Sequence, residues 1–194
     1  MASRMKTSSL ERPRAILDAA TGVFLRYGFR KTSMEDIAQA AGLSRQGLYL
    51  HFASKELIFK ATLQHIVTQT FAAVRAAVDP RGLELEERLL GAFEALHGYG
   101  FATASLAHMN ELLETARALG GDLVPELEKN FIALLTDLLA ETGVAARWAA
   151  KGVTAKQLAE LLFAAAYGIK ASVAAPVAYR ARMRVAIKVI TAGA

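Results

Sequence analysis

The chain has 194 residues, a formal net charge of +5, 54% hydrophobic and 21% charged residues, a balance that excludes intrinsic disorder and fibrous architectures. Its length allows one domain or two small ones, with enough chain to bury a core unaided. It contains no cysteine, which excludes a disulfide scaffold and a thiolate zinc site.

Alanine fills 39 positions against four prolines, a bias toward helix almost throughout. The charge is uneven. Residues 1–60 carry ten Lys/Arg and five Asp/Glu, whereas residues 61–194 carry 13 of each sign. An excess confined to the first third suits a segment that meets a polyanion. The opening MASRMKTSSL lacks the apolar stretch of a signal peptide. The longest uncharged run, Ala95 to Asn110, has 16 residues and is broken by polar ones, short of the roughly 18 that suggest a membrane span. The expectation is a soluble, cytoplasmic protein without a membrane partner.

In chain order, residues 1–11 read as a flexible basic arm. A helix is predicted from Arg12 to about Tyr27, with Pro13 in its first turn, an apolar stripe through Ile16, Ala20 and Phe24, and Gly28 ending it. Ser33 and Asp36 have the spacing of a capping box for a short helix that Gly42 closes. Ser44 caps a second short helix, Arg45 to about His51, with Leu48 and Phe52 inward. Two short helices joined through Gly42-Leu43 have the spacing of a helix-turn-helix, although a purely structural helical corner reads the same way. Ser54 can cap a long helix from Lys55 to about Val78. Helical segments follow at 84–101, 104–118 and 124–142, with breaks at Gly98/Gly100 and Gly120-Gly121. A short segment covers Ala145 to Ala150. Thr154 and Gln157 form a second capping-box pattern opening a helix to about Val173, and beyond Pro176 a last helix covers 178–191.

The run Arg14-Ala15-Ile16-Leu17-Asp18-Ala19-Ala20, then Phe24, Gly28, Thr32-Ser33-Met34, Asp36-Ile37-Ala38, Ala41-Gly42-Leu43-Ser44, Leu48-Tyr49, His51-Phe52 and Ser54-Lys55-Glu56 resembles the DNA-binding domain of the TetR/AcrR transcriptional regulators. The resemblance implies an all-α fold: an N-terminal three-helix helix-turn-helix domain at 12–53 joined by a long helix to a helical effector-binding and dimerisation domain at 54–194. It also implies binding of double-stranded DNA as a homodimer on a near-palindromic operator, repression, and release by a small-molecule effector, without cofactor, metal or catalytic residues.

Carried over by position, Arg45, Gln46 and Gly47 lie at the front of the helix that enters the major groove. Arginine can donate two hydrogen bonds to guanine and glutamine can pair with adenine. Gly47 stands where the family commonly has threonine, which removes one possible reader and lets the backbone come closer. Tyr49, His51, Lys55, Thr32 and Ser33 match positions that contact phosphates. Ser33 and Ser54 serve equally well as plain helix caps, and Tyr49 as a packing residue. Arg4, Lys6, Arg12 and Arg14 could reach phosphate or the minor groove.

For dimerisation the candidate stripes are Leu158, Leu161, Leu162, Ala165 and Ile169, with Tyr179, Met183, Ala186, Ile187 and Ile190, paired across two subunits as a four-helix bundle. Packing of both stripes inside one subunit is the competing reading. Candidate walls of an effector pocket are Phe93, Leu96, His97, Phe101, His108, Met109, Phe131, Leu135, Trp148 and Phe163, with Asn110 and Glu111 as further polar groups. Aromatics at helical spacing fit a core as well. Residues 61–169 sum to −5, which favours a cationic or neutral ligand.

An enzyme is the alternative of another class. The four histidines form no His-Glu-x-x-His motif, and neither a phosphate loop nor a nucleophile elbow is present. A helical ligand-binding protein without DNA binding is a further alternative, against which stand the polar Arg45, Tyr49, His51 and Lys55.

Overall fold

The computed structural model describes residues 11–102, 106–173 and 175–192, excluding the side chains of residues 11, 98–102 and 106–110. The basic arm expected at 1–11 therefore lies almost wholly outside the described residues. Among the described residues ten helices follow one another: α1 Glu11–Lys31, α2 Met34–Ala40, α3 Arg45–Tyr49, α4 Lys55–Val78, α5 Leu85–Ala102, α6 Leu106–Gly120, α7 Leu123–Glu141, α8 Val144–Ala149, α9 Ala155–Ser172 and α10 Pro176–Ala192. The chain is all-α, and no strand occurs among the described residues.

The helix starts follow from local chemistry. Ser33 and Asp36 cap each other at α2, as Thr154 and Gln157 do at α9. Each satisfies two backbone donors that a helix start otherwise leaves open. Pro176 opens α10 two residues before the expected start, because its missing N–H costs nothing there. At Gly98 and Gly100 the expected break does not form: α5 continues through both to Ala102. Glycine weakens a helix interior by about 1 kcal/mol, a cost that flanking turns can carry.

Contacts divide the chain into two units, one of residues 1–67 with 103–124 and the other of residues 68–102 with 125–194. In the first, α1 packs on α2 and α6, and α2 packs on α3. Its core joins Ile16, Ala20, Phe24, Ile37, Leu48 and Ile58 to Leu112 and Ala116 of α6. Phe24, Phe29 and Phe59 meet with ring centroids 5.1–5.9 Å apart. In the second, α10 packs on α5, α8 and α9, around Leu89, Phe93, Phe131, Leu135, Leu139 and Val144.

This second core corrects the dimer stripes. Leu158, Leu162, Tyr179, Met183, Ile187 and Ile190 are each no more than 4% exposed within the single chain. Helices α9 and α10 turn that face inward, so these six hold the subunit together. Leu161 is 58% exposed, and Ala165 and Ile169 are half-buried.

Gly28 ends the long run of α1 as expected: its backbone is non-helical, with φ 78° and ψ 170°, and the chain bends there before residues 29–31. That region of backbone space is open essentially to glycine alone. A Cβ at this position would also stand 2.6 Å from Glu111 Oε2. Gly28→Ala is expected to destabilise the first unit by about 1–3 kcal/mol, read as a lower urea midpoint with an unchanged m-value.

Candidate nucleic-acid interface

Five residues of backbone at the end of α1 position everything downstream in the first unit. After the bend at Gly28, the Arg30 N–H donates to Glu111 Oε1 at 2.7 Å. The Thr32 hydroxyl donates back to the Gly28 carbonyl at 2.6 Å. Lys55 Nζ, at the first residue of α4, donates to the Phe29 carbonyl at 2.9 Å and the Thr32 carbonyl at 2.8 Å, and sits 4.4 Å from the centre of the Phe29 ring. A cation at carbonyls that end a helix is favoured by the helix dipole as well as by the hydrogen bonds.

From that corner α2 starts at Ser33. The Ser33 Oγ accepts from the Asp36 N–H at 3.2 Å, while its own hydrogen goes to Asp36 Oδ2 at 2.6 Å. The hydroxyl bond, together with the Ser33 N–H that donates to Asp36 Oδ2 at 2.8 Å, holds the Asp36 carboxyl below its usual pKa, the side-chain bond contributing most. The turn passes Gly42, at φ 66°, and reaches Ser44, whose Oγ accepts from the Gly47 N–H at 3.0 Å. Leu48, fully buried, anchors α3 to the core.

Anchoring Leu48 inward fixes what points outward. Arg45, Gln46, Tyr49, Leu50 and His51 are all exposed. Arg45 and Tyr49 lie one helical turn apart, with the guanidinium carbon 5.8 Å from the Tyr49 ring centre, a cation–π pair worth about 0.5–1 kcal/mol at an exposed site. Gly47 has a structural reason to lack a side chain, since a Cβ there would press on the capping Ser44 Oγ at 3.2 Å. Leu50 is 87% exposed at the end of α3. Sequence reasoning passed over it because an apolar residue beside buried Leu48 reads as core.

The phosphate candidates separate into two groups. Tyr49 and His51 are on the outer surface. Thr32 is 2% exposed with its hydroxyl directed inward, Ser33 shares its hydroxyl hydrogen with Asp36, and Lys55 directs two donors at backbone carbonyls. Ser54 caps α4, accepting from the Leu57 N–H at 3.3 Å.

In the second unit, Phe93, Phe131 and Phe163 form a continuous row of rings at 5.2 and 6.0 Å, and His97 is buried near its far end. Trp148 packs on the same core from α8, its indole N–H donating to the Ile190 carbonyl at 2.8 Å. Phe101, His108 and Met109 fall outside the described side chains. A surface groove of about 500 Å³ lies elsewhere, between Phe71, Arg75, Arg88, Asn130 and Asp137, and includes none of the expected pocket residues.

A short capped helix, anchored by one buried leucine and presenting arginine, glutamine and tyrosine outward from a glycine turn, is a helix-turn-helix. Residues 16–62 match the family "Bacterial regulatory proteins, tetR family". Over 80 residues the chain is 40% identical to the HTH-type transcriptional repressor KstR2 of Mycobacterium tuberculosis, a match covering 41% of this chain and 40% of that one. Over 63 residues it is 40% identical to the HTH-type transcriptional regulator RutR of Escherichia coli, covering 32% and 30%. The chain thus spans less than half the length of these curated relatives. A TetR-like transcriptional regulator from a Rhodococcus species superposes with a TM-score of 0.62 at 27% identity, over 95% of this chain and 96% of that one. The fatty acid degradation regulator FadR of Bacillus halodurans shares the fold, with a TM-score of 0.65 at 21% identity over 96% of both. The family match thus covers residues 16–62, and along the rest of its length the chain is similar in fold to solved TetR-like regulators.

Lys55→Met keeps the apolar stem and leaves two carbonyls without their donor. The expected result is a loss of about 1–3 kcal/mol in stability, with the slope of log affinity for DNA against log salt nearly unchanged. A residue holding a phosphate would instead reduce that slope by about one.

Proposed function

We propose that the chain is a transcriptional regulator that binds a near-palindromic DNA site as a homodimer and is released from it by a small-molecule effector. The observation that carries the reading is the outward set on α3: Arg45, Gln46 and Tyr49 exposed around a buried Leu48. Arg45 and Gln46 are the base readers, each worth about 1–3 kcal/mol of discrimination when bidentate. Tyr49 and His51 take phosphate, and Leu50 is placed for apolar contact with sugar or a thymine methyl. Thr32, Ser33 and Lys55 are assigned to holding the corner. Repression is the sense favoured by the KstR2 relative, whose name describes a repressor.

One five-residue helix offers few contacts, so two copies are needed for a stable, selective complex. The surface for the second copy is the outer face of α9 and α10. There Leu161, Val185 and Val189 are 58–64% exposed, with the small residues Ala164, Gly168 and Ala181 beside them also exposed. Small residues let helices from two subunits approach closely, and branched apolar residues gain from leaving water. Effector action is a population shift between dimer states with different affinity for DNA, with coupling on the order of 1–3 kcal/mol.

Selection of bound sequences from random DNA is expected to recover a palindrome, and Arg45→Ala to relax the preference at one position of each half-site. An unenriched pool, or uniform weakening by Arg45→Ala, overturns the assignment. Val185→Glu is expected to give monomers by sedimentation while preserving helical content, because Val185 lies outside the core. A stable dimer in that variant moves the interface elsewhere.

A further inference from the structure

Three of the residues expected to hold phosphate, Thr32, Ser33 and Lys55, spend their donors within the chain. The corner they close nevertheless carries cations that do not. Arg26, Arg30 and Lys31, near the end of α1, are exposed, and none has an ion-pair partner among the described residues. The Arg26 guanidinium carbon lies 5.3 Å from the centre of the Tyr27 ring, and Tyr27 is itself 44% exposed. This repeats the pairing of Arg45 with Tyr49 on α3. A guanidinium attracted to a ring spends no N–H on an oxygen acceptor, so its fork remains for two oxygens of a phosphate.

We propose that the end of α1 is a second contact with duplex DNA, in which Arg26, Arg30 and Lys31 hold backbone phosphates beside the groove that α3 enters. The proposal rests on the DNA-binding reading and extends it to residues outside the helix-turn-helix. Two observations place the patch. Lys55 ties the Phe29 and Thr32 carbonyls, which flank Arg30 and Lys31 in sequence, to the first residue of α4, four positions past His51. The cations therefore sit at the same corner of the first unit as the outer surface that carries Tyr49 and His51. The Arg30 N–H is held in turn by Glu111 Oε1, so the backbone that bears these side chains is fixed from α4 and from α6. A backbone fixed in advance loses little freedom when phosphate is bound.

Cations at a helix end also have a plain structural use, since they complement the helix dipole. Here Lys55 already fills that place, with hydrogen bonds to two carbonyls at the end of α1. The neighbouring acids, Glu35, Asp36 and Glu111, form no ion pair with Arg26, Arg30 or Lys31. Asp36 accepts from Ser33, and Glu111 accepts the main-chain N–H of Arg30. Contacts to phosphate position a protein on the duplex without reading its bases. The patch therefore adds affinity for every sequence alike and leaves selectivity to Arg45 and Gln46.

The test measures binding of the full chain to a fluorescent duplex of mixed sequence between about 50 and 200 mM salt. Arg26→Gln, Arg30→Gln and Lys31→Gln are each expected to reduce the slope of log affinity against log salt by about one, and the triple variant by about two to three. Arg30→Lys keeps the charge and should keep the slope. Lys156→Gln removes a cation from α9 in the second unit and should leave the slope unchanged. The melting temperature of the triple variant should match that of the unsubstituted chain. Three results overturn the contact: an unchanged slope in the triple variant, a lower melting temperature with an unchanged slope, which assigns the cations to the helix dipole, or an equal loss of slope in Lys156→Gln, which assigns the effect to net charge. If the unsubstituted chain shows no salt-dependent binding to any duplex, the DNA-binding reading falls and this contact with it. If that chain binds and the triple variant keeps its slope, this contact alone falls.

Discussion

The placement of α2 and α3 depends on how the polar backbone groups of residues 28–32 are satisfied. A bend in α1 frees carbonyls and an N–H that the helix would otherwise have paired, and buried backbone groups left open are costly. Lys55, Thr32 and Glu111 close that account from α4, from the bend itself and from α6. The direction in which α2 departs is set by this closure. The exposure of Arg45 and Gln46 follows from it, because Leu48 can be buried in one rotation of α3 only.

Glu111 shows how a distant part of the chain enters the first unit. Its carboxylate receives the Arg30 N–H across 81 positions of sequence, while Leu112 and Ala116 on the same helix enter the core around Phe24 and Ile37. Helix α6 is therefore a structural member of the unit that carries α3. Its support of the bend is a single charge-assisted hydrogen bond together with a small apolar patch.

Local signals in the sequence were legible because they depend on neighbours within four residues. The boxes Ser33/Asp36 and Thr154/Gln157, the Ser44 cap and the glycine turn at Gly42 all form as their spacing indicates. Facing was not legible on α9 and α10. With alanine at 155, 159, 164, 165, 166, 171, 178, 181 and 186, these helices are apolar around much of their circumference. Hydrophobic periodicity then finds a stripe without saying whether the chain or a second copy covers it. Leu158 and Leu161 differ by less than one turn, yet one is 2% and the other 58% exposed. The side-chain roles of Thr32 and Lys55 were hidden for a different reason: nothing in a polar residue's identity tells whether its donors meet phosphate or its own backbone.

Charge shows why identity and position must be taken together. Residues 1–60 and residues 170–194 each carry an excess of +5, so composition nominates both ends as partners for a polyanion. The second excess is largely committed within the chain. Arg180 pairs with Glu87 and Glu94, Arg184 pairs with Glu87 at 2.6 Å, and Arg182 donates to the Ser172 hydroxyl. Lys170 is partly buried, and burial pushes its pKa down. In the first excess Lys55 is likewise directed at backbone, but Arg45 stands exposed on α3 with the Tyr49 ring as its neighbour. A polyanion is drawn to cations that keep unused donors facing water, because only these release counterions and form new bonds on contact. By that measure the two equal charges are unequal sites, and the difference comes from Glu87 and Glu94 on α5 as much as from the helix-turn-helix.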